Sequence, residues 1–311
     1  MLSRRHLVAV AAVISVVLLT LTAWHRHPRN GPANAQASAH RTASAHRTAS
    51  SPASRSTSTV ATRSPSRSAT PHPRLTVRQL SANLRSLFGP GDSFSVAGYD
   101  LTTGHSIAAG AGSGMTEASV VKLDILETAL YRQQTGQGDY DGDDVADMME
   151  HSDNDAADRV FRDDNGNAGL QSYNDLVGLS HTQLDPTEAW GLSTTAATDQ
   201  VLLLKQLISS KSPLNAASRA YALNLMGQVE ADQTWGISAA ADAGAKSQLK
   251  NGWLNIDRDN GLWAVNSDGL TTSGGHKVLL VVLSQHQPDM QTGIGRVETA
   301  AKQLAAALRS S

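Results

Sequence analysis

The chain has 311 residues with 26 Lys and Arg, 28 Asp and Glu, 11 His and no cysteine, which excludes both a disulfide framework and a thiolate metal site. Its charge is unevenly spread: residues 1–91 hold twelve Arg and no Lys, Asp or Glu, leaving 14 basic residues against 28 acidic ones in 92–311. The part able to fold is therefore acidic, and the basic face that a nucleic acid requires is missing from it.

Residues 1–24 carry Arg4-Arg5, an uncharged stretch from Leu7 to Thr22, and then Trp24. This pattern predicts a signal or membrane anchor. Ser3-Arg4-Arg5-His6-Leu7 resembles a twin-arginine export signal. Small-x-small sites at Ala33-Asn34-Ala35 and Ala35-Gln36-Ala37 lie far beyond the apolar run, which favours a retained anchor over a cleaved one. Residues 25–74 are Ser, Thr, Ala, Arg, Pro and His, with Ala37–Thr42 repeated as Ala43–Thr48. Such a stretch has too little apolar surface to offset its ordering entropy, and it is expected to be a disordered linker. An exported protein is predicted, membrane-anchored with an extracellular domain, or secreted if the signal is cleaved.

The folded domain is expected over 75–311. Thr76 is placed to cap a helix with Val77, Leu80, Leu84, Leu87 and Phe88 on one stripe, stopped by Gly89-Pro90-Gly91. Ser93–Asp100 alternates like a strand, turns at Thr102-Thr103-Gly104 and returns through Ser106-Ile107-Ala108. Next comes a helix carrying Val121, Ile125, Leu126, Ala129 and Leu130. Helical patterns follow near 144–162, 169–178, 195–209 and 215–227, with no clear strand until about residue 246. The period then changes. Gln248–Leu254, Leu262–Ser267 and Lys277–Ser284 read as strands, the first two joined through Asp259-Asn260-Gly261. A last helix puts Ile294, Val297, Ala301, Leu304 and Leu308 on one face. The expected fold is α+β: a five-stranded antiparallel sheet flanked by the terminal helices, plus a helical lobe.

Chemistry is centred on Ser119 and Lys122. Three residues apart at the start of a helix, they share a face, which brings an amine toward a hydroxyl near the positive end of the helix dipole. A serine hydroxyl needs such a base to become a nucleophile. Ser-x-x-Lys is a weak signal alone, and Ser247-Gln248-Leu249-Lys250 repeats it. Two further motifs follow in order, Ser152-Asp153-Asn154 between two helical patterns and Lys250-Asn251-Gly252 on a strand. All three together, in order and on suitable elements, should arise by chance in well under about one chain in a hundred.

As a combination, these motifs resemble those of class A β-lactamases and penicillin-binding proteins, over roughly Thr76 to Ser311. The resemblance implies a β-lactamase/transpeptidase-like fold and a serine hydrolase forming an acyl-enzyme at Ser119, with Lys122 as base. Ser152 would pass a proton to the leaving nitrogen, and Asn154 would hold the substrate amide. Lys250 with Asn251 would face a substrate carboxylate, and the N–H groups of Ser119 and Trp253 would form an oxyanion hole beside Gly252. Two lysines in one cleft depress each other's proton affinity, which would suit a neutral Lys122 beside a charged Lys250. Leu184-Asp185-Pro186-Thr187-Glu188 has the spacing of the family's omega loop, making Glu188 the candidate base for deacylation. The implied substrate is a β-lactam amide; the alternatives are a D,D-peptidase or slow penicillin binder acting on cell-wall peptide, and a non-catalytic wall-binding module. No cofactor or metal is required, the membrane partner is the N-terminal segment, and the domain is read as a monomer. The loop after Glu188 and the segment between Lys122 and Ser152 are both short for the family, Asn251 stands where a hydroxyl residue is usual, and Trp253 replaces a small residue. Trp190 and Trp235 are read as packing residues at helix ends.

Overall fold

The computed structural model describes residues 75–89 and 93–309. The expected anchor at 1–24 and linker at 25–74 lie outside the described residues. Helix α1 (Val77–Phe88) starts at a reciprocal cap: Gln79 N–H donates to Thr76 Oγ1 at 3.2 Å, and Thr76 N–H donates to Gln79 Oε1 at 2.9 Å. Leu80, Leu84 and Phe88 are buried, while Val77 at its open end is exposed.

Strands β1 (Phe94–Asp100) and β2 (Ser106–Gly110) form the first hairpin. A two-residue pair, β3 (Met115–Thr116) with β4 (Thr194–Thr195), clamps the segment ahead of Ser119 to the stretch that enters the helix starting at Ala197. No strand is expected here from the residue pattern, because two residues are too few to show a period. The lobe holds α2 (Lys122–Gln134), α3 (Gly142–Glu150), α4 (Asn154–Asp163), α5 (Gly166–Val177), α6 (Ala197–Gln206) and α7 (Ala216–Met226). Helix α2 runs through its centre, with every residue from Lys122 to Leu130 buried, including Asp124 and Glu127.

The remaining strands are β5 (Gln248–Ile256), β6 (Leu262–Ser273) and β7 (His276–Ser284), and the chain closes on α8 (Met290–Leu308). Asn260 and Gly261 take positive φ of 56° and 74° in the β5–β6 turn, as a tight hairpin demands. All five long strands pair antiparallel in the order β2-β1-β7-β6-β5, so the expected five-stranded α+β sheet is the one observed.

The sheet separates two cores. Val278, Leu280 and Val282 of β7 face the terminal helices, packing with Leu80, Leu84, Val297, Ala301 and Leu304. Leu279, Val281 and Leu283 face the lobe, packing with Val121, Ile125 and Leu126. The unbroken apolar run of β7 follows from burial on both faces. Strand β5 ends the order, and its outer side meets the turn that carries Ser119.

Candidate active site

Ser119 lies in a 3₁₀ turn, Ala118–Val121, that feeds directly into α2, instead of inside the α-helix itself. Ala118 has a φ of 49°, a conformation that a side chain adopts only when its surroundings impose it. Asn266 of β6 supplies part of that imposition. Its Nδ2 donates to the carbonyls of Thr116 and Glu117, each at 2.8 Å, and its Oδ1 accepts from Ser284 N–H at 2.9 Å. Nothing in the sequence marked Asn266, which reads as one polar residue on a strand. Gly252 sets the approach of β5: a Cβ there would stand 2.7 Å from the backbone N of Ser119 and of Val120, and 3.0 Å from Glu117 O. Gly252→Ala should therefore push β5 off the turn that carries Ser119, the candidate nucleophile. The expected result is a loss of acylation of about 10²-fold with the fold retained by circular dichroism, and an unchanged rate would contradict it.

Lys122 is fully buried, and its amine is held by three acceptors: Ser152 O at 2.6 Å, Asn154 Oδ1 at 2.7 Å and Ser152 Oγ at 3.2 Å. The Trp190 ring covers it, with the centroid 5.1 Å from Nζ. Burial lowers the Lys122 pKa to about 8, against the pull of the Asp153 and Asp158 carboxylates. The amine is engaged with Ser152 and Asn154, and no hydrogen bond joins it to Ser119 Oγ among the described residues.

Ser152 and Asn154 sit at the break between α3 and α4. Ser152 has a φ of 56°, and Asp153 caps α4 by accepting from Ala156 N–H at 2.7 Å. This strained corner turns Ser152 Oγ between two amines, Lys122 at 3.2 Å and Lys250 at 2.9 Å. Lys250 is fully buried on β5 and also donates to Asn251 O at 2.9 Å. Its pKa is lowered to about 7, first by burial and then by the Lys122 charge, with Asp268 opposing. Burial thus lowers both lysines below their ordinary value, and the Lys122 charge adds to the shift at Lys250.

Asn251 is expected to face a substrate carboxylate. It is buried, and its Nδ2 donates to the carbonyls of Gln233 at 2.7 Å and Trp235 at 3.1 Å. Successive side chains of a strand point to opposite sides, and Asn251 ties β5 to the segment beside it instead of facing a substrate carboxylate. Trp253 tilts onto Trp235 at 6.0 Å between ring centroids and also lines the cleft.

The cleft has a volume of about 370 Å³, and Ser119, Asn154, Asp158, Glu188, Trp190 and Trp253 line it. Glu188 is exposed, with a φ of 62°, and its Oε1 comes within 2.8 Å of where a Cβ on Gly166 would stand, at the start of α5. Its carboxylate makes no hydrogen bond to Ser119, Lys122 or Asn154 among the described residues, and the acids that act on Lys122 are Asp153 and Asp158. Trp190 donates from Nε1 to Asp158 Oδ1 at 2.7 Å and forms part of the wall. Its role at the cleft escaped sequence reading; the one available signal was its place two residues after Glu188.

No curated protein sequence matches the chain. Among solved structures, a single-substitution mutant of PBP-A, an acyl-enzyme complex with penicillin G, superposes with a TM-score of 0.63 at 17% identity, covering 77% of this chain and 100% of that one. A β-lactamase from Chitinophaga pinensis DSM 2588 gives a TM-score of 0.64 at 17% identity, over 74% of this chain and 98% of that one. An ancestral class A β-lactamase gives 0.61 at 20% identity, over 74% and 100%. Residues 142–309 match the sequence model of the beta-lactamase enzyme family, a span that includes Ser152, Asn154, Glu188 and Lys250; Ser119 and Lys122 precede it. On that match the chain belongs to the beta-lactamase enzyme family.

Proposed function

We propose that the protein is a serine hydrolase that forms an acyl-enzyme at Ser119 with β-lactam amides and releases it slowly. The observation that supports this is the placement of Ser152 Oγ between the amines of Lys122 and Lys250, in the cleft that Ser119 lines. Neutral Lys122 accepts the Ser119 proton as Oγ attacks the amide carbonyl. The N–H groups of Ser119 and Trp253 receive the negative charge on the carbonyl oxygen. As the C–N bond breaks, Ser152 delivers a proton to the leaving nitrogen and regains one from the adjacent lysine. Water then cleaves the ester. Glu188 is the candidate base for that step, but its carboxylate is turned toward Gly166, which favours slow deacylation and a penicillin-binding behaviour over rapid turnover.

Intact mass of the full chain through a time course with benzylpenicillin, with drug consumption followed in parallel, tests the reading. One adduct should accumulate and persist, consumption should stay near one equivalent, and Ser119→Ala should abolish the adduct. Glu188→Ala should leave its lifetime unchanged. Rapid consumption of excess drug would instead identify an efficient β-lactamase. Absence of both adduct and turnover would exclude β-lactams as substrates, and noncovalent binding that survives Ser119→Ala would leave a wall-binding module. Residues 1–24 support an exported, tethered protein, which fractionation of cells followed by N-terminal sequencing of the mature chain checks.

A further inference from the structure

The charges at the mouth of the cleft are negative. Asp158 and Glu188 line it, and both are exposed, whereas no Arg or Lys among the described residues does. The two lysines beneath are fully buried, with their amines satisfied by Ser152, Asn154 and the Asn251 carbonyl. Nearby arginines are engaged elsewhere. Arg159 pairs with Asp144 at 2.6 Å, Arg162 donates to the backbone carbonyl of Asp158 and not to its carboxylate, and Arg258 acts on Asp185 while flanked by Asp257 and Asp259.

The acidic groups are placed to face one part of a substrate. Asn154 and Asp158 are one turn apart on α4 and so share a face. Asp158 is fixed from the other side by Trp190 Nε1 through a single oxygen, Oδ1, at 2.7 Å. A substrate amide held at Asn154 would thus carry its acyl side group over a carboxylate beside an indole, with Trp253 as a further aromatic wall. An aromatic face next to a carboxylate is the chemistry that binds organic cations.

We infer that the acyl side of this cleft selects donors bearing a cationic group, an ammonium or guanidinium close to the acyl carbonyl, with Asp158 as the residue that sets the preference. This rests on the acyl-enzyme reading above and names its substrate class: amides or peptides with a positively charged acyl portion, in preference to anionic ones.

Three penicillins differing only at the side-chain α-carbon provide the test: ampicillin with an ammonium, benzylpenicillin with hydrogen and carbenicillin with a carboxylate. Second-order rate constants for adduct formation on the full chain should fall in that order, with ampicillin ahead of carbenicillin by about tenfold or more at low salt. Asp158→Asn, which keeps the acceptor for Trp190, should compress that ratio toward one, and high salt should compress it in the unsubstituted protein. Adducts from all three at equal rates, or a ratio that Asp158→Asn does not move, would overturn the charge preference and leave the acyl-enzyme reading standing. Failure of every penicillin to label Ser119 would overturn both.

Discussion

Acylation of Ser119 is expected to quicken about tenfold per pH unit up to about 8, level off above it, and fall by about 10²–10⁴-fold in Lys122→Ala. The sign follows from the role. A base must be neutral before it can accept the serine proton, and an amine whose pKa burial has lowered to about 8 is about one-tenth neutral at pH 7. An exposed lysine near its ordinary value would be neutral in well under about a thousandth of molecules at the same pH, so desolvation supplies most of the available base. The measurement is the rate of adduct formation with benzylpenicillin between pH 5.5 and 9.5, beside Lys122→Ala and Lys122→Arg. The arginine variant keeps a cation at the site but cannot deprotonate, so it should be as slow as the alanine one. A flat profile, or activity retained in Lys122→Arg, would remove Lys122 from the role of base. The Ser152 corner is then the next place to look, because its hydroxyl touches both amines.

The fold was readable because its periods are clean. Leu80, Leu84 and Phe88 recur at helical spacing, and the alternating sides of Val278–Leu283 fill two separate cores. The three motifs were readable because each needs a fixed residue type at a fixed spacing, and the structure brings Ser152, Asn154 and Lys250 to Lys122 across up to 128 positions of chain. What could not be read is the direction of a side chain whose alternatives are equally polar. Asn251 beside Lys250 suggested a substrate contact, yet its amide is spent on the Gln233 and Trp235 carbonyls, which no local pattern announces. Trp190 and Asp158 are 32 positions apart, and their pairing depends on how the loop after Glu188 returns over α4. Asp124 and Glu127 posed the opposite problem. On a helix that reads as mainly apolar they would pass for its wet side, but α2 has no wet side along those turns.

Those buried acids carry the second large expectation: the protein should be markedly more stable at pH 5 than at pH 8, and Asp124→Asn should raise its stability at pH 8 by a few kcal/mol. Asp124 is 1% exposed, and burial raises its pKa from 3.8 to about 7; burial likewise raises Asp268 and Asp164 to about 8 and holds Glu117 and Glu127 well above the usual range. Glu127 has one partner, Tyr173, whose hydroxyl donates to Oε2 at 2.9 Å. For Asp124, Asp164 and Asp268 the unfolded chain releases its proton near pH 4 while the folded one holds it to about pH 7 or 8, and Glu117 and Glu127 shift in the same direction. The stability each lends is complete below pH 4 and drains away as pH rises through that window, at up to about 1.4 kcal/mol per unit per group. Asp144, Asp185, Asp242 and Asp289 have the opposite shift, but none is buried and they would act only below that window. The lysines oppose that slope higher up. With folded pKa values near 7 and 8, Lys250 and Lys122 make the unfolded chain the stronger proton binder, so they offset the loss as pH climbs beyond about 8. Denaturant midpoints should therefore fall from pH 5 to pH 8 and flatten above it, with a smaller fall in Asp124→Asn and, independently, in Asp164→Asn. A parent midpoint that rises from pH 5 to pH 8, or an Asp124→Asn variant weakened equally at both, would mean that the folded protein ionises these carboxylates with partners strong enough to offset their burial.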